Sequence, residues 1–175
     1  MDFRFTPEDL AFRDEARAFL DPVLPADAAW EWEPHDGGPV ARAIQAKLGA
    51  HGYLHPGWPR EYGGLDLDFV KQAILKEELA YRRMPHVAAG SALAGPIIMA
   101  YGTDDQKKEH LIPTARGERH WCQWFSEPNA GSDMANSQTT ASSDGDDYLI
   151  NGVKLWHDPD FDWGLLMARL DAHDD

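Results

Sequence analysis

Cysteine, basic residues and long apolar runs are all scarce in this chain. The single cysteine, Cys122, excludes an intrachain disulfide and fits a reducing cytosol. No apolar run approaches the roughly 20 residues that a membrane-spanning helix needs. Residues 1–20 are charged and helical in pattern, which is not the pattern of a signal peptide. We therefore expect a cytoplasmic protein without a transmembrane segment.

The shortage of basic residues limits the partners that this chain can bind. Its 30 acidic residues outnumber its 16 basic ones and give a formal net charge of −14. Nucleic-acid binding depends on cationic contacts to phosphates, so we expect neither nucleic acid nor an anionic membrane as a partner. A bound phosphate would be held mostly by backbone N–H groups and hydroxyls.

The first part of the chain, residues 1–118, is patterned as helices. Thr6-Pro7-Glu8-Asp9 combines a capping hydroxyl, a proline at the first helical position and acids in the first turn. Asp21-Pro22 is expected to end that helix. Thr103-Asp104-Asp105-Gln106 is a capping box that opens the last helix, which we expect to end at Pro113.

Three further helices are predicted between these two. One buries Val40, Ile44 and Leu48, and Gly52 is expected to end it. The next carries an apolar stripe, which consists of Phe69, Val70, Ala73, Ile74, Ala80 and Tyr81. The fourth, about residues 88–101, is apolar almost all round and is expected to lie buried in its bundle. Residues 22–38 are expected to form a loop anchored by Trp30 and Trp32.

From about His120 the pattern changes to strands. Asp144-Gly145-Asp146-Asp147 predicts a hairpin turn with a left-handed glycine, and residues 163–170 predict one more strand. Roughly four strands are too few to close a barrel, so an exposed sheet edge is expected. The sequence thus predicts an α+β chain with an all-α helical domain at 1–118 and an incomplete antiparallel β-barrel-type domain at 119–175.

A small-residue loop follows the first predicted strand, in the segment Trp121-Cys-Gln-Trp-Phe-Ser-Glu-Pro-Asn-Ala-Gly-Ser-Asp133. Pro128 stops the strand because it has no backbone donor. Ala130 and Gly131 leave room for a ligand beside the backbone, and Gly131 permits unusual dihedrals. Backbone N–H groups and the Ser132 hydroxyl can hold a phosphate there. The alternative is a plain polar connection between strands.

This sequence resembles the acyl-CoA dehydrogenase family, the flavoproteins that desaturate acyl-CoA thioesters. Besides the loop, six segments carry the resemblance in family order: DFRFTPEDLAFRDEARAFL, HPGWPREYGGLDL, QAILKEELAYRR, YGTDDQKKEHLIPTARGE, TTASSDGDDYLINGVKLWH and DWGLLMARLD. It implies an N-terminal helical bundle followed by the first part of a β-barrel-type domain. Family members continue for about as long again, through a C-terminal helical bundle, so this chain looks like an N-terminal portion.

The resemblance implies FAD as the cofactor and an acyl-CoA as the substrate. Gln123, Phe125 and Ser126 fall on the strand along the isoalloxazine, and Gly131 and Ser132 fall where the pyrophosphate is bonded. Ser132 also falls beside the pantetheine arm of the substrate. The flavin chemistry itself belongs to the cofactor, while the protein binds and orients.

Two further positions follow from the same resemblance. Trp156 falls where an indole packs against the flavin, and Ala92 lies on the helix that flanks the acyl tail. Each position has a structural alternative: Ser126 could be a plain strand residue, Trp156 a core anchor, and the small residues near Ala92 could serve close helix packing.

The chain departs from the family pattern after Trp156. Asp158 occupies the position of a small hydroxyl residue near flavin N5, where a carboxylate would repel the reduced flavin. The acids of residues 158–164 do not form a calcium loop, because Trp163 replaces the glycine and Arg169 the glutamate of that motif. No metal site is therefore expected.

The catalytic base of the resembling enzymes is a glutamate of the C-terminal bundle, so no catalytic residue is assigned here. Glu77, Glu78 and Glu127 are the carboxylates nearest the marked positions, and none is assigned as the base. Three functions remain open. The chain is part of a dehydrogenase that needs a homo- or hetero-oligomeric partner to supply the bundle, a non-catalytic interaction subunit without flavin, or part of a flavin oxidase or monooxygenase. Turnover by this chain alone is not expected.

Overall fold

A computed structural model describes residues 4–24, 38–84, 89–157 and 161–170. Helices come first, and they are α1 (Pro7–Val23), α2 (Pro39–Ala50), α3 (Phe69–Tyr81), α4 (Ala89–Tyr101) and α5 (Asp104–Ala115). Strands follow, and they are β1 (Trp121–Trp124), β2 (Thr140–Asp144), β3 (Asp147–Asn151), β4 (Trp163–Leu166) and β5 (Arg169–Leu170). Short 3-10 turns occur at Arg60–Tyr62 and Met134–Asn136. This order confirms the predicted α+β class.

The predicted helix starts at α1 and α5 are confirmed. Thr6 and Thr103 each accept a hydrogen bond from the third helical amide, and the side chain at that position bonds back to the cap amide. Both helices continue past the proline expected to end them, to Val23 and Ala115. In α5, Pro113 frees the carbonyl of Glu109, which accepts a 2.9 Å hydrogen bond from Arg119 instead.

The main core joins α1, α2, α3 and the segment after α2. Its fully or nearly fully buried side chains are Ala16, Leu20, Leu24, Ile44, Leu48, Tyr53, Leu54 and Leu75. Val40 is exposed, contrary to expectation, while Gly52 takes a positive φ of 79° just beyond the end of α2. The expected loop at 22–38, with Trp30 and Trp32, lies largely outside the described residues.

The predicted apolar stripe of α3 is wrong in part. Phe69 and Tyr81 are 88 % and 86 % exposed, whereas Ile74, Leu75 and Glu78 are buried. Glu78 turns inward because α1 presents Arg17 at 2.9 Å, and Arg82 of the next turn lies at 2.8 Å. Burial raises the pKa of the Glu78 carboxyl, but the hydrogen bonds from Arg17 and Arg82 outweigh it and leave the pKa below its usual value.

Helix α4 is buried on one face only, so its predicted burial all round is wrong. The buried face includes Gly90 and Gly95, where an added Cβ would lie 2.2 Å from the Trp121 carbonyl oxygen and 1.9 Å from the Trp58 ring. Small residues therefore allow α4 to contact β1 and the 53–58 segment closely. Leu93 and Ile97 are about two-fifths exposed on the other face.

The strands form two small sheets. Parallel strands β1 and β4 make one, and β3, β2 and β5 follow in that order in the other. The hairpin prediction is confirmed, because β2 pairs antiparallel with β3 across Gly145, whose φ is 68°. The single strand predicted at 163–170 is instead divided, since β4 pairs with β1 and β5 with β2. The predicted antiparallel arrangement therefore holds for β2 and β3, whereas the β1–β4 and β2–β5 pairs of the described residues are parallel.

Candidate functional site

The loop after β1 begins with a tight turn. Glu127 N–H donates to the Ala130 carbonyl at 2.7 Å, and the Ala130 N–H donates back to the Glu127 carbonyl at 3.2 Å. Pro128 and Asn129 form its exposed tip. The amides of Glu127 and Ala130 are therefore occupied and cannot serve a ligand.

Beyond this turn the backbone is open to solvent. Gly131 and Ser132 are exposed, and a Cβ added to Gly131 would meet nothing within 4 Å. Within the described part of the chain, neither amide N–H has a hydrogen-bond partner. Gly131 does not take a positive φ, so the expectation of unusual dihedrals there is wrong. What the glycine provides is space beside two available donors.

Phe125 and Ser126, the two residues before the tight turn, are bonded to a second segment, residues 152–155. The Ser126 carbonyl accepts from the Leu155 amide at 2.9 Å, and the Phe125 carbonyl accepts from Lys154 Nζ at 3.1 Å. Gln123, in register with Leu165 of β4, is half-buried, as are Phe125 and Ser126. Among the described residues nothing bonds the Ser126 hydroxyl.

Trp156 lies directly after this segment, in an unusual conformation. Its φ is 60°, a left-handed value that is rare for an aromatic residue and that clusters at functional positions. Its side chain is 91 % exposed, so the alternative of a core anchor is wrong. Asp158 lies outside the described residues. The Ser126–Leu155 bond thus holds the backbone that precedes Trp156 against Ser126.

Lys154 is the residue at this site that the sequence patterns missed. Its Nζ lies 2.7 Å from Glu127 Oε1, and the two side chains are only 9 % and 5 % exposed. No spacing rule links residues so far apart in sequence, since 27 positions separate them. The hydrogen bonds from Lys154, Thr139 and Gln138 lower the pKa of the Glu127 carboxyl to about 2.

The three carboxylates weighed as bases are all engaged elsewhere. Glu127 is bound as above, Glu78 is bound by arginines, and Glu77 pairs with Arg13 at 2.7 Å. Glu78 and Glu127 are poor proton acceptors, because their pKa values are lowered and their oxygens accept hydrogen bonds. Among the described residues there is also no group of three His, Cys, Asp or Glu that could hold a metal. In the same part of the chain, no helix has the length and apolar character needed to cross a bilayer.

Ala92 lies apart from the loop, on the exposed face of α4. It lines a cavity of about 800 Å³ together with residues of α3 and the 53–58 segment. Other apolar side chains of the lining are Trp58, Phe69, Leu79 and Met84. The loop residues 123–132 are not part of this lining.

Comparison with known proteins gives consistent matches. The sequence model of the "Acyl-CoA dehydrogenase, N-terminal domain" family matches residues 6–118. Acyl-CoA dehydrogenase FadE29 of Mycobacterium tuberculosis is 36 % identical over 172 residues, which are 96 % of this chain and 44 % of that protein. Acyl-CoA dehydrogenase FadE26 of the same organism is 38 % identical over 160 residues, 89 % of this chain and 40 % of that protein.

Solved structures agree with these sequence matches. The "Tcur3481-Tcur3483 steroid ACAD" superposes with a TM-score of 0.87 at 32 % identity and covers 100 % of this chain and 46 % of its own. The ChsE4-ChsE5 complex of Mycobacterium tuberculosis superposes with a TM-score of 0.84 at 35 % identity, over 98 % and 44 % respectively. This chain spans less than half the length of these relatives. The chain belongs to the acyl-CoA dehydrogenase family.

Proposed function

We propose that this chain forms part of an FAD-dependent oxidoreductase that acts on the CH–CH group of an acyl-CoA. The observation that carries the proposal is the open loop at 131–132, with two available amides and a hydroxyl. The exposed Trp156 adds to it, because the preceding residue, Leu155, donates to the Ser126 carbonyl at the start of that loop. Backbone donors of this kind bind phosphate without a cationic side chain. That chemistry suits a chain with a net charge of −14.

Each candidate residue has a defined task toward the flavin. Gly131 and Ser132 would bond the pyrophosphate, Gln123, Phe125 and Ser126 would lie along the isoalloxazine, and the Trp156 indole would pack on the ring system. When bound, the flavin supplies the redox chemistry by accepting the hydride of the acyl group. The chain's own residues bind and orient, as part of a β-domain that we place at 119–175 after a helical domain at 1–118.

We propose that a complementary chain completes the enzyme. The chain spans less than half of its relatives, and the engaged Glu77, Glu78 and Glu127 leave the reaction without an assigned base. One similar structure is a ChsE4-ChsE5 complex, and another is named for two proteins, Tcur3481 and Tcur3483. A hetero-oligomer, in which the second chain contributes the base, is therefore our proposal, and we expect no turnover by this chain alone.

We further propose a bulky acyl group as the substrate. The small side chain of Ala92 occupies little of a cavity of about 800 Å³ that it lines. One similar structure is named a steroid ACAD. Ala92→Phe should therefore lower kcat/KM for a polycyclic acyl-CoA more than for a straight-chain one. Ala100→Phe is the matched control, because Ala100 is an exposed residue of α4 outside the described lining.

Co-expression tests the whole proposal. The chain is produced alone and together with the remaining part of a relative such as FadE29, and each preparation is examined for flavin absorbance and for acyl-CoA-dependent reduction of a dye. We expect a yellow, active complex and an inactive chain alone. A complex that stays colourless in added FAD would instead indicate an interaction subunit without flavin. Oxygen consumption in place of dye reduction would indicate an oxidase or monooxygenase.

A further inference from the structure

The buried pair of Glu127 and Lys154 joins three segments of the candidate flavin site. Glu127 Oε1 accepts from Lys154 Nζ at 2.7 Å and from the Thr139 amide at 2.9 Å, while Oε2 accepts from the Gln138 amide at 2.6 Å. These bonds connect the loop after β1, the residues just before β2 and the segment that leads to Trp156. Both carboxylate oxygens are used inside the protein.

Lys154 extends the same network to the backbone of the site. Its Nζ also donates to the Phe125 carbonyl at 3.1 Å. One residue further on, the Ser126 carbonyl accepts from the Leu155 amide at 2.9 Å. The adjacent carbonyls of Phe125 and Ser126 are thus bonded to two adjacent residues of the 152–155 segment. This fixes the position of Phe125 and Ser126 relative to Trp156.

General stability does not explain the presence of this pair. Removing two charges from water is costly, and apolar residues of similar volume are often at least as stabilising as a buried ion pair. What an ion pair adds is geometric specificity, because each charged hydrogen bond requires a donor and an acceptor at a set distance and angle. Such specificity matters most where backbone groups must be held in position for a rigid ligand.

We propose that Glu127 and Lys154 are positioning residues for the flavin: they hold the Phe125–Ser126 backbone in register with Trp156 and do not touch the cofactor themselves. The inference rests on the proposed function, since it assigns the pair a role toward the same site. Neither side chain is available to a ligand, because they are 5 % and 9 % exposed. Their effect on FAD must act through the backbone that they hold.

The test compares FAD binding by variants of the chain within the co-expressed complex. Lys154→Met keeps the apolar stem of the side chain and removes its charge, whereas Lys154→Arg keeps a positive charge at this position. We expect Lys154→Met to weaken FAD binding, measured by quenching of flavin fluorescence, by about tenfold or more, a size typical of supporting residues behind a ligand site. The visible absorption bands of the bound flavin should shift as well. Lys154→Arg should recover most of the affinity and the wild-type spectrum.

A buried ion pair outside the site provides the matched control. Arg82→Met removes one of the two arginines that bind Glu78 in the helical part, where Arg82 is 13 % and Glu78 7 % exposed. That variant should lower the melting temperature and leave FAD affinity and spectrum unchanged. Lys154→Met with wild-type affinity and spectrum would overturn the inference and leave the proposed function standing. A wild-type complex that binds no FAD would overturn both.

Discussion

Protonation of His55 is expected to destabilise the helical part of the chain in mild acid. The His55 side chain is 8 % exposed and stacks on Trp58, with ring centroids 4.1 Å apart and an interplanar angle of 15°. Its Nε2 has no hydrogen-bond partner among the described residues. Burial lowers the pKa of His55 from 6.5 to about 4, because the charged ring would lose its hydration without gaining a partner.

The sign and size of the effect follow from this shift. The unfolded chain binds the proton first, so the stabilisation is complete above pH 6.5 and is lost as the pH falls toward 4. At about 1.4 kcal/mol for each pKa unit, the free energy of unfolding should fall by about 2 kcal/mol between pH 7.5 and pH 5. The full effect, reached below pH 4, is about 3 kcal/mol.

Urea unfolding, followed by far-UV circular dichroism at several pH values, measures this loss. His55→Gln should lower stability at neutral pH and remove the His55 component of the pH dependence between 7.5 and 5. His51→Gln is the control. His51 lies four residues before His55 and also stacks on an aromatic ring, that of Phe19, but it is exposed to solvent. Equal pH slopes for wild type and His55→Gln would refute the reasoning.

Two further predictions concern packing and charge. Glu78→Ala should lower the free energy of unfolding by about 2 kcal/mol, because Arg17 and the largely buried Arg82 each lose a charged hydrogen bond, although Arg82 retains Asp21 at 2.6 Å. Urea denaturation should show about 0.5 kcal/mol or less for Glu77→Ala, whose side chain is 63 % exposed. Equal losses would contradict the assigned network. Gly90→Ala should cost about 1 to 3 kcal/mol, since its Cβ would lie 2.2 Å from the Trp121 carbonyl oxygen. Gly131→Ala should leave the melting temperature unchanged, because nothing lies within 4 Å of the added Cβ. A thermal scan in which Gly131→Ala lowers the melting temperature more than Gly90→Ala would contradict the described packing.

Local signals in the sequence predicted much of the helical part. The capping boxes at Thr6 and Thr103 involve residues three apart, so the sequence contains both partners of each bond. The hairpin at Gly145 is similarly local. On α3 the apolar pattern predicts the burial of Ile74 correctly but not that of Glu78, because the burial of Glu78 depends on Arg17 of another helix.

In the candidate site, too, local features are predictable from the sequence and long-range contacts are not. The open backbone at Gly131 and Ser132 and the exposed Trp156 agree with the prediction of a ligand-facing loop, although their roles toward FAD stay predictions. Lys154 could not be found, because its partner Glu127 is distant in sequence and a lone lysine after a strand gives no signal. The division of residues 163–170 between two sheets also depends on pairing with distant strands.

A titration of FAD into the co-expressed complex, with wild type and Trp156→Ala side by side, tests the central claim most directly. Trp156 is 91 % exposed, so its removal leaves the core intact. We predict saturable binding by the wild type and an affinity about tenfold weaker for the variant, from the lost aromatic contact. Saturable binding with equal affinities, or no binding by the wild type, would contradict the assignment of this loop and indole to the flavin.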